Sequence, residues 1–313
     1  MRAALSILTE ELRRLKSAGV KSVAVSDESL AQLRRAVAAR GAGGAPAVAK
    51  VESRVTGRVA GVKPAPQGEV AEPARAEAPV EEDATRAGAI PLPEPFELPA
   101  GDKAARMAAL RERVLDDAVC RAHVRPGKKI VVGVGNLDAK IMFVGEAPGG
   151  EEEVQGEPFV GPAGQLLTKM INAMGLQRED VYIGNIMNWR PEMPVNASGI
   201  QYGNRPPTPE EMRYCLPYLR AQIEIVDPAL LVALGSTAAQ GLLGPGTFKA
   251  LGEVRGRWRE FAGKPLMVTY HPSYILRNQS NRSKRMIWED LLKVMERAEL
   301  PVSEKQRGYF LGK

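Results

Sequence analysis

Short apolar runs alternate with amphipathic stretches over residues 140–297. The four runs are 140–144, 181–186, 230–234 and 266–270, and each is nearly all apolar. In the intervening stretches at 166–174, after 208, after 236 and at 282–297, apolar residues recur at helical spacing. Because buried parallel strands have continuous apolar sequences and alternate with helices, this pattern predicts an α/β fold. We expect three α/β/α layers around a four-stranded, mainly parallel sheet.

The whole chain divides by composition into four predicted segments. Residues 1–40 contain two helical patterns and are predicted to form an N-terminal helical element, a candidate docking element for a protein partner. Residues 41–102 are rich in Ala, Pro and Gly and predict a disordered linker, since such a segment buries too little apolar area to offset its chain entropy. Residues 103–298 are predicted to be the packed domain, and 299–313 a C-terminal tail. We expect a monomer.

Composition and charge exclude some classes of protein and indicate the kind of partner that this chain binds. No run of about 18 apolar residues occurs, so the sequence predicts no membrane span. Two cysteines in 313 residues exclude a disulfide-built secreted scaffold and fit a reducing compartment, so we expect a cytoplasmic location. The net charge of +6 suits a polyanionic partner such as nucleic acid, although that excess is weak evidence alone.

Polar residues follow each predicted strand. Glu146 comes directly after the first, Asn185 lies near the end of the second, Ser236 follows the third and His271 follows the fourth. Ligands of parallel sheets bind beyond the carboxyl ends of the strands. Each residue alone has a purely structural explanation, such as a turn, a strand cap or a core histidine. Together they favour a cluster that holds a small planar heterocycle and cleaves a bond beside it.

These positions resemble the family 4 type of bacterial uracil-DNA glycosylase. The resemblance covers about residues 117–297 and consists of GEAPGGEEEVQGEPFVGPAGQLL, VYIGNIMNWRP, NRPPTPEEMRYCLPYL, DPALLVALGSTAAQGLLG and HPSYILR, in that order. It implies that uracil-containing DNA is the partner and that uracil is removed by hydrolysis of its N-glycosidic bond in base-excision repair. Two alternatives stay open: a non-catalytic DNA-binding protein with the same fold, and a glycosylase for another deaminated base such as hypoxanthine.

The resemblance also implies roles for single residues. Glu146 would activate the attacking water or stabilise the sugar cation, and His271 would donate a hydrogen bond to the uracil O2. Phe159 would stack on the extruded uracil and Asn185 would read its edge. Further residues would contact DNA, as phosphate-binding turns or as a wedge in the base stack: Gly161, Pro162, Gly164, Ser236, Ser273, Tyr274, Ile275 and Leu276.

The chemistry of glycosidic cleavage explains these residue types independently. Cleavage builds positive charge on the sugar, which a carboxylate stabilises. Negative charge grows on the base, where a preorganised donor is worth about 3–4 kcal/mol. The amide of Asn185 offers a donor and an acceptor together and so matches the O4 and N3–H of uracil, whereas cytosine presents the opposite pattern. An aromatic face and an apolar wedge offset part of the cost of unstacking the base.

The chain departs from this family at its iron–sulfur positions. The resemblance implies a four-iron cluster held by four cysteines, but the matching positions here are Cys120, His123, Trp189 and Cys215. Tryptophan has no ligating atom for iron. We therefore expect no cofactor, with Trp189 filling the vacated volume. A zinc site made by the other three residues is the alternative that the sequence leaves open.

A second departure is an insertion at residues 192–203, where the family has only a few residues. It adjoins the predicted DNA-facing edge, so it either alters substrate choice or is a surface insertion without a role. On the sequence alone we favour the second interpretation.

Overall fold

The structure is a computed structural model that describes residues 90–196, 199 and 201–311. The predicted helical element at 1–40 and the predicted linker as far as residue 89 lie outside the described residues. Helices and strands alternate in chain order as α1 Lys103–Asp116, α2 Ala118–Ala122, β1 Val134–Gly135, β2 Ile141–Gly145, α3 Glu152–Gln155, α4 Pro162–Ala173, β3 Tyr182–Asn185, α5 Pro209–Val226, β4 Leu230–Leu234, α6 Ser236–Leu243, β5 Trp258–Phe261, β6 Lys264–Thr269, α7 Pro272–Arg277, α8 Asn281–Arg297 and α9 Glu304–Arg307.

Within the described region six strands form one sheet, in the order β1-β3-β2-β4-β6-β5. The four central strands pair in parallel, and β1 and β5 add antiparallel pairs at the two edges. The predicted α/β fold and mainly parallel sheet are therefore confirmed. The strand count of four was wrong because β1 has only two residues and β5, with the sequence WREF, lacks a continuous apolar run.

Two apolar layers cover the faces of the sheet because successive side chains of a strand point to opposite sides. On β2, Met142 and Val144 face the layer that contains α1, α5 and α6. Ile141 and Phe143 face the opposite layer, which contains α4 and α8. All four residues are at most 2% exposed, so β2 lies at the centre of the core and its carboxyl end is held firmly.

The segment at 90–102 corrects the predicted linker boundary. It contains no helix or strand, yet Ile90, Phe96 and Leu98 pack against the core. The ring of Phe96 lies 5.4 Å from that of Tyr218, and the guanidinium of Arg113 lies 4.6 Å above it. The prediction of disorder up to residue 102 is therefore wrong for 90–102, because a few apolar anchors are enough to dock a Pro-rich segment.

The predicted C-terminal tail is also packed, with Leu300, Val302 and Tyr309 against the core. Trp288 of α8 donates a hydrogen bond of 2.6 Å to the carbonyl of Gln306, and the Gln306 amide donates one of 2.9 Å to the carbonyl of Ala173. These bonds tie α9 to α8 and α4. None of the helices in the described part of the chain is long and apolar enough to cross a membrane.

Candidate active site

The carboxyl ends of the four parallel strands surround a cleft of about 630 Å³. Glu146 follows β2, Asn185 ends β3, Ser236 begins α6 after β4, and His271 follows β6. All four side chains line the cleft together with Phe159. The structure thus brings together the residues that the sequence analysis placed at successive strand ends.

Gly145 leaves space that two of the predicted uracil-binding side chains occupy together. It is the register partner of Asn185 across β2 and β3. A Cβ atom on Gly145 would lie 2.4 Å from Asn185 Oδ1 and 2.4 Å from Phe159 Cζ, distances that no real Cβ atom tolerates. The absent side chain therefore allows the amide and the ring to meet over the end of the sheet.

Asn185 has an unpaired acceptor in this position. Its side chain is 6% exposed, and its Oδ1 atom is fully buried without a hydrogen-bond partner among the described residues. A buried polar atom without a partner costs roughly 1–3 kcal/mol. Such a cost is expected where a ligand supplies the missing donor, and the N3–H of a uracil-like base is a donor of this kind.

Phe159 adopts a strained backbone conformation with φ of 55°. The left-handed region costs a bulky residue about 1–3 kcal/mol and persists only when the surroundings enforce it. One enforcing contact is Gly164 in the first turn of α4, where a Cβ would lie 1.8 Å from the Phe159 carbonyl oxygen. The absence of a side chain at 164 lets the helix start press directly on the strained residue.

Two charged side chains hold the same loop from either end. The carboxylate of Glu152 accepts hydrogen bonds from the backbone N–H groups of Gly149, at 3.0 Å, Val160, at 3.1 Å, and Gly161, at 3.0 Å. Glu152 thus joins the loop after β2 to the loop that carries Phe159.

Arg178 holds the other side of Phe159. Its guanidinium donates a hydrogen bond of 2.7 Å to the carbonyl of Pro158, the preceding residue, and another of 3.3 Å to the hydroxyl of Thr168 in α4. Backbone groups on both sides of Phe159 are therefore bonded to charged side chains. This arrangement fixes the ring in the wall of the cleft.

His271 is held as a neutral donor. Its Nδ1 atom accepts a hydrogen bond of 3.2 Å from the backbone N–H of Ser273 and lies 2.9 Å from the Ser273 hydroxyl. Because a backbone N–H only donates, Nδ1 is an acceptor and the ring proton resides on Nε2. Burial, with a further contribution from the charge of Arg277, lowers the pKa of His271 to about 4. The imidazole is therefore uncharged at neutral pH.

Thr237 is the neighbour of the catalytic candidate Glu146, and Phe159 is the neighbour of the catalytic candidate His271. Burial raises the pKa of the Glu146 carboxyl, and a side-chain hydrogen bond with Thr237 of α6 opposes that rise. The Phe159 and His271 rings lie 5.6 Å apart at an angle of 31°. A carboxylate, an aromatic wall and a neutral N–H donor thus face one enclosed space.

The predicted phosphate-binding turns are only partly supported. The N–H of Gly161 is already bonded to Glu152, and Gly164 is buried against Phe159. Phosphate contact by these two glycines stays a prediction, since in this structure the Gly161 N–H serves Glu152 and Gly164 packs against Phe159. Pro162 and Ser236 are exposed at the cleft, and Ser273 lines the cleft while it contacts His271. Phosphate contact by these three residues stays a prediction.

The predicted wedge residues lie on different faces of α7. Ile275 is 7% exposed and packs in the core beside α4 and α8, so its assignment to the wedge is wrong. Tyr274 stacks on Tyr270, with ring centroids 4.4 Å apart. Leu276 is 42% exposed and is the apolar side chain of the three that is free to enter a base stack.

Three positioning residues were not predicted from the sequence: Glu152, Arg178 and Thr237. An acidic run after GEAPG was visible, but nothing in it singled out Glu152 as the carboxylate that turns inward. Arg178 and Thr237 lie on other segments, so their contacts depend on how the loops fold.

The positions that match the family's cluster ligands form an aromatic and polar core. Trp189 is fully buried, and its ring stacks on that of His123 at a centroid distance of 5.0 Å. Cys120 and Cys215 are buried free thiols. A hydrogen bond with Cys215 and burial together hold the pKa of Cys120 far above its usual range, so the sulfur keeps its proton. Nearby, Asp117 accepts hydrogen bonds from two tyrosine hydroxyls of α5 and from the Cys120 N–H.

These residues do not fit a four-iron cluster, because an indole occupies one ligand position and cluster ligands are thiolates. The described residues also contain no group of three or more His, Cys, Asp or Glu side chains arranged to hold a metal ion. The zinc alternative for Cys120, His123 and Cys215 therefore finds no support in this part of the chain.

Comparison with known proteins gives consistent matches. Residues 132–292 match the family model of the uracil DNA glycosylase superfamily. The chain is 44% identical over 188 residues to a type-4 uracil-DNA glycosylase of Thermotoga maritima, an alignment that covers 60% of this chain and 92% of that protein. It is 45% identical over 152 residues to a type-4 enzyme of Archaeoglobus fulgidus, with coverage of 47% and 71%. A type-4 enzyme of Saccharolobus solfataricus is 41% identical over 176 residues, with coverage of 54% and 76%.

Proposed function

The chain belongs to the uracil-DNA glycosylase superfamily, and we propose that it excises uracil from DNA by hydrolysing the N-glycosidic bond in base-excision repair. One observation at the level of single residues supports this proposal most strongly. The cleft contains a buried, unpaired amide oxygen on Asn185, and it lies directly beside the Phe159 ring. An aromatic face next to an unfilled acceptor suits a planar base that presents an N–H at its edge.

Recognition begins with a uracil nucleotide that has left the base stack. Phe159 covers one face of the base, and the strained loop that carries this ring is already ordered, so binding does not need to order it. Asn185 accepts the N3–H on Oδ1 and donates to O4. Cytosine would place an acceptor against Oδ1 and leave buried groups unpaired, which is costly in an enclosed cleft.

Bond cleavage then separates charge between the sugar and the base. The bond between C1′ and N1 breaks, its electron pair goes to the uracil ring, and the oxygen of water bonds to C1′. The Glu146 carboxylate stabilises the cationic sugar and accepts the proton that the attacking water loses. The Nε2–H of His271 donates a hydrogen bond to O2, where negative charge grows. Because this imidazole is neutral, it acts as a fixed donor and not as an acid.

We also propose that this chain lacks the iron–sulfur cluster of its family. Trp189, stacked on His123 and 6.2 Å from the Tyr214 ring, supports this proposal because it fills the space with packed side chains. The hydrogen bonds of Asp117 to α5 brace the same region without a metal. The chemistry above needs neither iron nor magnesium.

The proposal is tested with an oligonucleotide that contains one uracil. Incubation with the protein followed by alkali should cleave the strand at the uracil, and Glu146→Gln should reduce this cleavage strongly while the protein stays folded. A parallel panel carries hypoxanthine, xanthine, thymine and cytosine at the same position. No cleavage at enzyme excess on any substrate would favour a non-catalytic DNA-binding protein. Preferential cleavage at hypoxanthine would favour a glycosylase for another deaminated base.

A cytoplasmic location, a monomeric state and a protein partner for residues 1–40 stay predictions. Gel filtration with light scattering tests the monomer. Comparison of the full chain with a variant truncated before residue 90 tests whether the N-terminal part changes excision.

A further inference from the structure

The insertion at 192–203 is anchored to the rim of the cleft. Val195 and Gln201 form an antiparallel bridge across it. The segments that flank the insertion, at Pro191 and at Asn204, both line the cleft. The described residues at the two ends of the insertion therefore lie beside the opening of the cleft.

Buried polar side chains fix the backbone on both sides of Tyr202. Gln201 is 7% exposed; its amide donates to the carbonyls of Pro191, at 3.1 Å, and Gly203, at 3.3 Å. The carbonyl of Gly203 also accepts a hydrogen bond of 2.7 Å from Arg190. Tyr202 thus lies between two residues with little freedom to move.

An ion pair beneath the insertion strengthens this anchor. Arg190 pairs with Glu153 at 2.9 Å, and the two side chains are only 9% and 10% exposed. The same guanidinium donates a hydrogen bond of 2.8 Å to the Asn204 side chain at the rim of the cleft. Because breaking a buried pair leaves an uncompensated charge, the pair holds Arg190 and the groups bonded to it in place.

The side chain that this anchor presents faces solvent. Tyr202 is 70% exposed and makes no hydrogen bond or ring contact with the described residues. An aromatic side chain that adds nothing to the core, held on a rigid backbone at the rim of a nucleotide-binding cleft, has the properties of a stacking platform. Bases of single-stranded nucleic acid stack on aromatic side chains regardless of their identity.

We propose that Tyr202 stacks on the base of a nucleotide next to the extruded uracil, so that the insertion extends the DNA-binding surface of this chain. This inference rests on the proposed function, because it assumes that a uracil nucleotide occupies the cleft. It gives the insertion a role in substrate binding, which the sequence alone did not favour.

The test compares Tyr202→Ala, Tyr202→Phe and a control, Leu92→Ala, on single-stranded uracil oligonucleotides. Leu92 is a similarly exposed side chain, at 69%, and belongs to the segment at 90–102, none of whose residues lines the cleft. We expect Tyr202→Ala to raise KM about 5- to 100-fold with little change in kcat, as the loss of one base–aromatic stack predicts. Tyr202→Phe and Leu92→Ala should match the unaltered protein, and melting temperatures should agree for all four.

A second set of substrates identifies the stacked base. The nucleotide on either side of the uracil is replaced, one at a time, by an abasic tetrahydrofuran residue. On one of these substrates the KM of the unaltered protein should rise by the factor by which Tyr202→Ala raises it on the intact strand. On that substrate Tyr202→Ala should raise KM no further. The inference is overturned if the KM of Tyr202→Ala equals that of the unaltered protein on the intact strand. It is also overturned if Tyr202→Ala raises KM by the same factor on both abasic substrates. Absence of excision by the unaltered protein would instead overturn the proposed function.

Discussion

Replacement of Asn185 by Ala should separate activity from stability. In the free protein its Oδ1 atom is buried without a partner, and no hydrogen bond of this side chain to another described residue is present. Removing the amide therefore removes an unsatisfied group that costs roughly 1–3 kcal/mol. The lost packing of a few side-chain atoms offsets part of this gain. We expect the free energy of unfolding to change by less than about 1 kcal/mol or to increase.

The effect on uracil excision should be large and opposite in sign. Without Asn185 the N3–H and O4 of uracil face an enclosed cleft without partners. Loss of these two interactions corresponds to about 2–4 kcal/mol, or a roughly 30- to 1,000-fold decrease in kcat/KM. The assay is single-turnover release of the base, combined with urea unfolding of the same preparation.

Asn188 supplies a matched control three residues along the chain. It is 3% exposed, and its Oδ1 atom is also buried without a partner among the described residues, but its amide N–H donates a hydrogen bond of 3.1 Å to the buried carbonyl of Val131. Because Asn188→Ala leaves that carbonyl without its donor, which Asn185→Ala does not do, it should cost about 1 kcal/mol of stability and leave excision nearly unchanged below the melting temperature. If Asn185→Ala is instead the destabilising variant, or if it excises uracil at the normal rate, then Asn185 is a structural residue and its assigned role is refuted.

Four further predictions follow from the site and from the positions that match the family's cluster ligands. Glu152→Gln weakens charge-assisted hydrogen bonds to two loops and should reduce kcat/KM about 10- to 100-fold, with a normal rate refuting its positioning role. The acid limb of the kcat/KM profile should reflect Glu146: because burial raises the pKa of this carboxyl, activity should decrease as the pH falls through a value above 4.5, and Glu146→Gln should abolish that limb. Burial holds the pKa of His271 in the folded protein near 4, below its usual 6.5, so between these pH values the unfolded state binds a proton that the folded state does not. The free energy of unfolding should therefore decrease as the pH falls from 6.5 to 4, and this decrease should be smaller in His271→Gln. The purified protein should be colourless, and Cys120→Ser and Cys215→Ser should each cost on the order of 1 kcal/mol, whereas a brown protein with about four irons per chain would contradict the proposed loss of the cluster.

Strong local patterns were enough to predict the central elements of the fold. The apolar run at 230–234 coincides with β4, and the helical pattern after residue 208 coincides with α5, which begins at the Thr208 capping box. These features depend on residues close together in the chain, and so does the order in which polar residues follow the strands. Because parallel strands share one edge for their carboxyl ends, Glu146, Asn185 and His271 were expected to converge.

Features that depend on distant contacts were not predictable in the same way. The left-handed conformation of Phe159 is imposed by Glu152, Arg178 and Gly164, and no local pattern marks a phenylalanine for that conformation. The burial of Ile275 depends on the rotation of a six-residue helix, which is too short to show a period.

The most direct test of uracil excision is mass-spectrometric detection of the free base released from a uracil-containing oligonucleotide. With substrate in excess over the protein, the account predicts release of free uracil over many turnovers, one abasic site for each uracil, and no release of cytosine or thymine. Glu146→Gln, folded and present at the same concentration, should release uracil far more slowly. Tight binding of the oligonucleotide without release of any base would contradict the account.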